Sequence, residues 1–174
     1  MDYKTLYEKN AKKFENSPTL KKVLLMLNKY LPLLFVGFYA GFFAYAALSD
    51  IPLKDDFPLF VLLPLSTLAL VSALRLLISR PRPYCEDGAK ITPMLDKKNG
   101  DYLSCPSRHI ACAVSIALAF APFSVPITLF LFFASAVLAY LRFSVGVHYI
   151  SDLIFGACTP CVMYVIFLIL NAFM

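Results

Sequence analysis

Apolar blocks long enough to cross a membrane alternate along this chain with short polar clusters. The first block, residues 31–48, reads LPLLFVGFYAGFFAYAAL, with Asn28 and Lys29 at its polar edge. A hydrophilic turn at 49–57, holding Asp50, Lys54, Asp55 and Asp56, leads to a second block at 58–79. The stretch 108–142 is too long for one crossing and is broken around Pro122 and Pro126. It predicts a hairpin of two spans, each about 15–17 residues or roughly 25 Å of helix. Both are short for a hydrocarbon core of about 30 Å. A last block covers 147–172. Ahead of all these, Tyr3, Leu6, Tyr7, Ala11 and Phe14 share one helical face, and Lys4, Lys9, Lys12 and Lys13 lie away from it. That pattern predicts an interfacial amphipathic helix over 1–17. Ser17 and Pro18 then read as an N-cap followed by proline at the first helical position. The expected architecture is all-α: one membrane domain, 1–174, of about five spans plus the surface helix.

Composition sharpens this picture. Hydrophobic residues make up 60% of the chain, and its mean hydropathy is +0.71. A soluble domain lies nearer half apolar, so that class is set aside. The opening thirty residues lack the pattern of a cleavable leader, and the first block is expected to remain as an anchor. Net charge is 16 − 11 = +5. Seven lysines fall in the first thirty residues: Lys4, Lys9, Lys12, Lys13, Lys21, Lys22 and Lys29. Anionic lipid, rather than nucleic acid, is their expected partner. Five crossings put these lysines, with Lys90, Lys97 and Lys98, opposite Lys54. The positive-inside rule then favours a cytoplasmic position for the face they share. Gly37 and Gly41 form a G-x-x-x-G, suited to close packing against a helix of the same chain or of a second copy in a homodimer. Five cysteines are too few and too scattered for a disulfide framework. Cys158 and Cys161 read as small packing residues in an apolar block. Cys85 and Cys105 bracket the polar loop, and a bond between them would point to an oxidising outer face.

Ionisable residues at membrane depth usually mark a functional site. Three clusters carry them here: Arg75–Pro83 (RLLISRPRP), Cys105–His109 (CPSRH) and Arg142–Asp152 (RFSVGVHYISD). Both histidines of the chain lie in them. The polar loop 80–107, with a turn at Asn99-Gly100, joins the first cluster to the second, and a loop of this length in a compact protein is usually functional. His148 is expected to open a helix with Asp152 one turn on, where a carboxylate can hold one imidazole nitrogen while the other attacks. Ser107, after Pro106, is expected to start a helix whose free N–H groups and serine hydroxyl form an anion site. His109 stands beside it, placed to hand over a proton. Arg75 and Arg82 supply guanidinium forks for phosphate oxygens, whereas Arg80 also reads as a simple basic flank. Two hairpin spans separate the second cluster from the third, so all three are expected at one end of the bundle.

The spacing Arg75-x6-Arg82-Pro83, Pro106-Ser107-Arg108-His109 and Arg142-x5-His148-x3-Asp152 resembles the three-part signature of the type 2 phosphatidic acid phosphatase superfamily. That family includes lipid phosphate phosphatases, glucose 6-phosphatase and vanadium haloperoxidases. The motifs span about half the chain, and Gly156 also fits the family pattern. Three positions depart from it: Arg75 replaces the usual lysine, Arg108 a common glycine and Leu141 a frequent serine. The resemblance implies that Arg75, Arg82, Ser107, Arg108 and Arg142 bind phosphate, that His148 is the nucleophile oriented by Asp152, and that His109 is the general acid. It implies neither cofactor nor metal. The expected substrate is a membrane lipid phosphate: phosphatidic acid, phosphatidylglycerol phosphate or an isoprenyl phosphate or diphosphate. A lipid phosphotransferase using the same site, and a channel or scaffold without activity, are the alternatives. The expected location is a bacterial cell membrane.

Overall fold

The computed structural model of the chain describes residues 2–49, 58–95 and 102–173. The turn proposed around Asp50, Lys54, Asp55 and Asp56, the Asn99-Gly100 turn, and Lys97 and Lys98 lie outside the described residues. Six α-helices follow in order: α1 (Tyr3–Glu15), α2 (Pro18–Leu48), α3 (Leu63–Ile78), α4 (Arg108–Ala119), α5 (Val125–Ser144) and α6 (Ile150–Ala172). A short π-helix, Pro58–Leu62, leads into α3. No strand occurs among the described residues.

Among the described residues, four segments are long and apolar enough to cross a membrane: Pro18–Leu48, Leu59–Ile78, Val125–Ser144 and Ile150–Ala172. The predicted fifth span is α4. It has 12 residues and rises only about 18 Å, so the first arm of the hairpin is shorter than the sequence suggested. It ends at Phe120, ahead of Pro122, and the chain turns before Ser124 caps α5 by accepting from the Ile127 N–H. α4 is also the buried centre of the bundle, with Ile110, Ala113, Ala117 and Ala119 out of solvent. Small alanines let α3, α5 and α6 close around it.

α2 departs from its predicted start at residue 31. It runs unbroken from Pro18, with Ser17 as N-cap, so Asn28 and Lys29 sit within a helix rather than at its edge. Among the described residues, and apart from α2's own adjacent backbone, no atom lies within 4 Å of a Cβ built at Gly37 or Gly41, so close packing against another described helix is not found there.

An aromatic cluster fills the end of the bundle away from the polar loop. Phe42, Phe60, Phe120 and Phe123 meet with ring centroids 4.8–5.5 Å apart. Tyr39 stacks on Phe60 and donates its hydroxyl to the Phe60 carbonyl at 2.7 Å. The chemistry explains the bond. Pro64 has no N–H to return to the carbonyl four residues back, and the tyrosine supplies the missing donor.

α1 is amphipathic as expected, and part of its apolar face packs on the rest of the chain. Tyr7 and Ala11 are buried, and Tyr3, Tyr7 and Phe143 form an aromatic group. Asn10 donates to Ser144 at 2.8 Å and accepts from Tyr140 at 3.0 Å, which ties α1 to α5. The helix thereby becomes a brace across the polar end.

Candidate active site

Each cluster is delivered by a helix end. Arg75 lies in the last turn of α3, which stops at Ser79 in the left-handed conformation (φ 43°). Arg80 to Pro83 then run without helix. Ser107 caps α4, placing Arg108 and His109 in its first turn, where the N–H groups have no partner within the helix. Arg142 ends α5, and His148 precedes α6, whose N-cap is Tyr149. His148 therefore stands just ahead of the helix instead of inside its first turn. Asp152 is the third helical residue and closes a capping box by accepting from the Tyr149 N–H at 2.9 Å.

Arg75, Arg82, Arg108, His109, Arg142 and His148 line one cavity of about 490 Å³. The side chains expected to converge do so. The two histidines differ sharply in setting. His148 is buried (2% exposed), whereas His109 is exposed at the cavity's edge. Burial pushes the His148 imidazole down to about 4, Arg82 and Arg142 push the same way, and Asp152 opposes them. Several polar atoms in and around the cavity are buried without a partner: Ser107 Oγ, Arg142 Nε and His148 Nδ1. Buried polar atoms ordinarily find partners; His148 Nδ1 faces the Asp152 carboxylate, and Ser107 Oγ and Arg142 Nε are left as the orphaned polar atoms of this group.

The arginines are not equivalent. Arg75 Nη1 donates to the Pro106 carbonyl at 3.3 Å and its Nη2 to the Leu103 carbonyl. It lines the cavity, but it also fastens the loop that carries Ser107. Arg82 Nη1 donates to the Val147 carbonyl at 3.1 Å, joining the first cluster to the third beside His148. Arg108 and Arg142 reach the cavity from the helices on either side.

Asp152 is fully buried and carries more partners than the sequence implied. Its Oδ1 is bound by Arg80 Nη1 at 2.8 Å, and its Oδ2 accepts from the Ser104 hydroxyl and the Tyr149 N–H. The approach to His148 is longer, with Nδ1 and Oδ2 3.7 Å apart, beyond hydrogen-bond range. Such contacts often tighten only when substrate binds. Arg80 also donates to Ser151 Oγ at 2.7 Å and lies over the Tyr149 ring, 4.2 Å from its centroid. The basic-flank reading of Arg80 is thus replaced: its guanidinium holds the aspartate. Its position two residues before Arg82, at a motif spacing the signature does not use, gave no warning. Tyr3 completes the surround, donating to the His148 carbonyl at 3.1 Å with its ring 4.7 Å from that of Tyr149.

Gly156 explains itself by distance. A Cβ built there would stand 2.7 Å from the Ser107 carbonyl oxygen, so only glycine lets α6 lie against the anion-binding turn. Gly156→Ala is expected to displace Ser107, costing roughly 1–3 kcal/mol as overpacking does. Thermal melting in detergent should show a lower midpoint, and phosphate release should fall about tenfold. Cys85 and Cys105 are not joined by a disulfide, so the bond that would have marked an oxidising face is not formed.

These features set the class of the protein: an apolar helical bundle with histidines and arginines gathered in one cavity at its end. A profile of the PAP2 superfamily matches residues 57–173, and the chain belongs to that superfamily. The structure is similar to the crystal structure of Aquifex aeolicus LpxE, with a TM-score of 0.58 and 21% sequence identity over 83% of this chain and 92% of that one. Comparison with curated proteins finds none that matches. Family and fold together point to a phosphatase held in a membrane by several helices.

Proposed function

We propose that this protein is a metal-independent phosphatase of lipid phosphates that works through a covalent phosphohistidine on His148. One observation carries the lipid part of this reading. The cationic cavity opens into an apolar groove of about 280 Å³ lined by Val36, Leu68, Ala113, Ile116 and Leu138, and the two share Pro32, Leu33, Arg108 and His109. A phosphate in the first and a hydrocarbon chain in the second describe a lipid monoester lying along α4.

Arg82, Arg108 and Arg142 hold the phosphate oxygens with the Ser107 hydroxyl and the free N–H groups of α4, and Arg75 keeps that turn in place. The unprotonated imidazole of His148 attacks phosphorus, and the bond from phosphorus to the lipid oxygen breaks opposite it. His109 gives its proton to the departing alkoxide, which leaves as the lipid alcohol. A water then yields a proton to His109 and attacks the phosphohistidine. The phosphorus–nitrogen bond breaks, and inorganic phosphate departs with His148 restored. Asp152 keeps the ring oriented and stabilises its positive charge while phosphorus is attached. Guanidinium groups and the helix end supply the electrostatic stabilisation that phosphoryl transfer requires.

The test is phosphate release from a panel of phosphorylated lipids in detergent. Turnover is expected to persist in excess EDTA and to be inhibited by vanadate, which mimics five-coordinate phosphorus. Loss of all turnover on chelation, reversed by added metal, would overturn the proposed chemistry. The setting of His148 adds a pH signature. Its nucleophilic form is the neutral ring, and that form persists until pH falls through about 4. The acid limb of kcat/KM assigned to this group is expected there, rather than near the ~6.5 of an exposed histidine. A limb that His148 sets at 6.5 would contradict its burial.

A further inference from the structure

Asn28 on the cavity wall is a buried polar residue that the mechanism does not use. Leu25, Asn28, Lys29, Pro32 and Leu33 recur at the spacing of a single helical face, and this face of α2 closes the cavity opposite the three motifs. Asn28 is 5% exposed, and its Oδ1 is buried without a hydrogen-bond partner. The main-chain carbonyl of the same residue is also short of its usual donor, because Pro32 stands four residues on and has no N–H. An apolar or basic residue would serve a helix that merely faced lipid or bound phosphate. Here an unpartnered side-chain acceptor is kept on the wall.

The rest of the wall shows what that acceptor is for. Lys29, Arg75, Arg82, Arg108 and Arg142 are donors only, and they suit the oxygens of a phosphate. An ionised phosphate has no hydrogen to offer Asn28. Neither has a prenyl chain, nor a glycerol whose other oxygens are acylated. A free hydroxyl near the phosphoester has one. Asn28 also lines the part of the wall that includes Pro32 and Leu33, the two α2 residues shared with the apolar groove. The leaving group must pass that junction on its way from phosphate to hydrocarbon.

Resting on the phosphatase reading above, we infer that Asn28 is a specificity-determining residue that accepts a hydrogen bond from a hydroxyl on the leaving group, and that the preferred substrates are lipid phosphates carrying a free hydroxyl on the carbon next to the phosphoester. Phosphomonoesters of glycerol or sugar headgroups meet that description, whereas phosphatidic acid and isoprenyl phosphates do not. Sites built to pair a substrate hydroxyl discriminate strongly against analogues lacking it, because the buried partner is then left unsatisfied.

The experiment compares 1-oleoyl-glycerol 3-phosphate with its 2-O-methyl ether, in which a methyl group replaces the hydrogen at issue, and with the 2-deoxy analogue, which removes the hydroxyl without adding bulk. Wild-type protein is expected to favour the free hydroxyl by about tenfold or more in kcat/KM, as the loss of one buried hydrogen bond implies. Asn28→Ala should bring that ratio close to one, and Asn28→Asp, which retains an acceptor, should preserve it even if both rates fall. Because the readout is a ratio within each variant, a partly unfolded preparation does not imitate the result. Equal rates on the free-hydroxyl and 2-deoxy compounds for the wild type would overturn this inference and leave the phosphatase reading standing. An unchanged ratio in Asn28→Ala would do the same. Release of phosphate from none of these compounds, nor from any other phosphorylated lipid, would sink both.

Discussion

His148→Ala is expected to lower lipid phosphate hydrolysis by at least a thousandfold, roughly the minimum when a nucleophile acting within a catalytic unit is removed. The argument rests on position. His148 is buried at the floor of the cavity, with arginines around it and an anchored aspartate behind it. No other imidazole can take its place, because His109 lies at the exposed edge. The variant should remain folded, judged by an unchanged elution profile in detergent, and it should form no acid-labile phosphoprotein when given radiolabelled substrate. His109→Ala gives the complementary result. A nitrophenyl phosphate, whose leaving group needs no proton, should still phosphorylate the protein, and the phosphorylated form should accumulate because water is no longer activated. A turnover rate in His148→Ala near that of the wild type would remove the histidine from the mechanism.

Arg80→Ala is the second large effect, and its origin is different. Asp152 is fully buried, and its Oδ1 is held by the Arg80 guanidinium at 2.8 Å. Removing one partner of a buried ion pair typically costs about 3–5 kcal/mol. The Arg80 side chain is 36% exposed, so solvent screens part of that. That cost falls on stability; the part of it expressed as misplacement of Asp152 behind His148 in the transition state is expected to lower kcat roughly tenfold to a hundredfold, at about 1.4 kcal/mol per factor of ten. KM should change little, because Arg80 does not line the cavity that holds substrate. Lysine at this position keeps the charge but loses the fork and the stacking on Tyr149, so Arg80→Lys is expected to recover only part of the rate. A variant with kcat intact and KM raised would instead make Arg80 a phosphate ligand.

These two cases mark how far the amino-acid sequence could be read. The lining residues of the cavity were legible because short motifs fix helix ends, and the order of the spans brings those ends together. Helix types, the hairpin and the cap at Ser17 were legible for the same local reasons. Arg80 was not, because its partner is 72 residues away and nothing in RLLISRPRP separates a guanidinium aimed at phosphate from one aimed at a carboxylate. Asn28 was hidden by hydropathy. A polar residue before an apolar run looks like the edge of a span until α2 proves continuous and turns it into the cavity. The surface helix was legible as amphipathic, but the protein surface it packs on was not. An aromatic face opposite lysines suits lipid as well as it suits protein, and only the bonds of Tyr3, Tyr7 and Asn10 to the loop and α5 show the part that packs on protein.

The phenylalanine cluster at the far end sets a limit on what this protein can reach. With rings closing one extremity and every reactive group gathered at the other, a lipid whose headgroup sits in the distant monolayer has no route through the bundle. On the function proposed above, hydrolysis is expected to be one-sided. The dephosphorylated lipid would be left in the monolayer from which its precursor came, the liberated anion would be discharged into a single compartment, and molecules on the other side would have to be flipped across the bilayer before they could be processed.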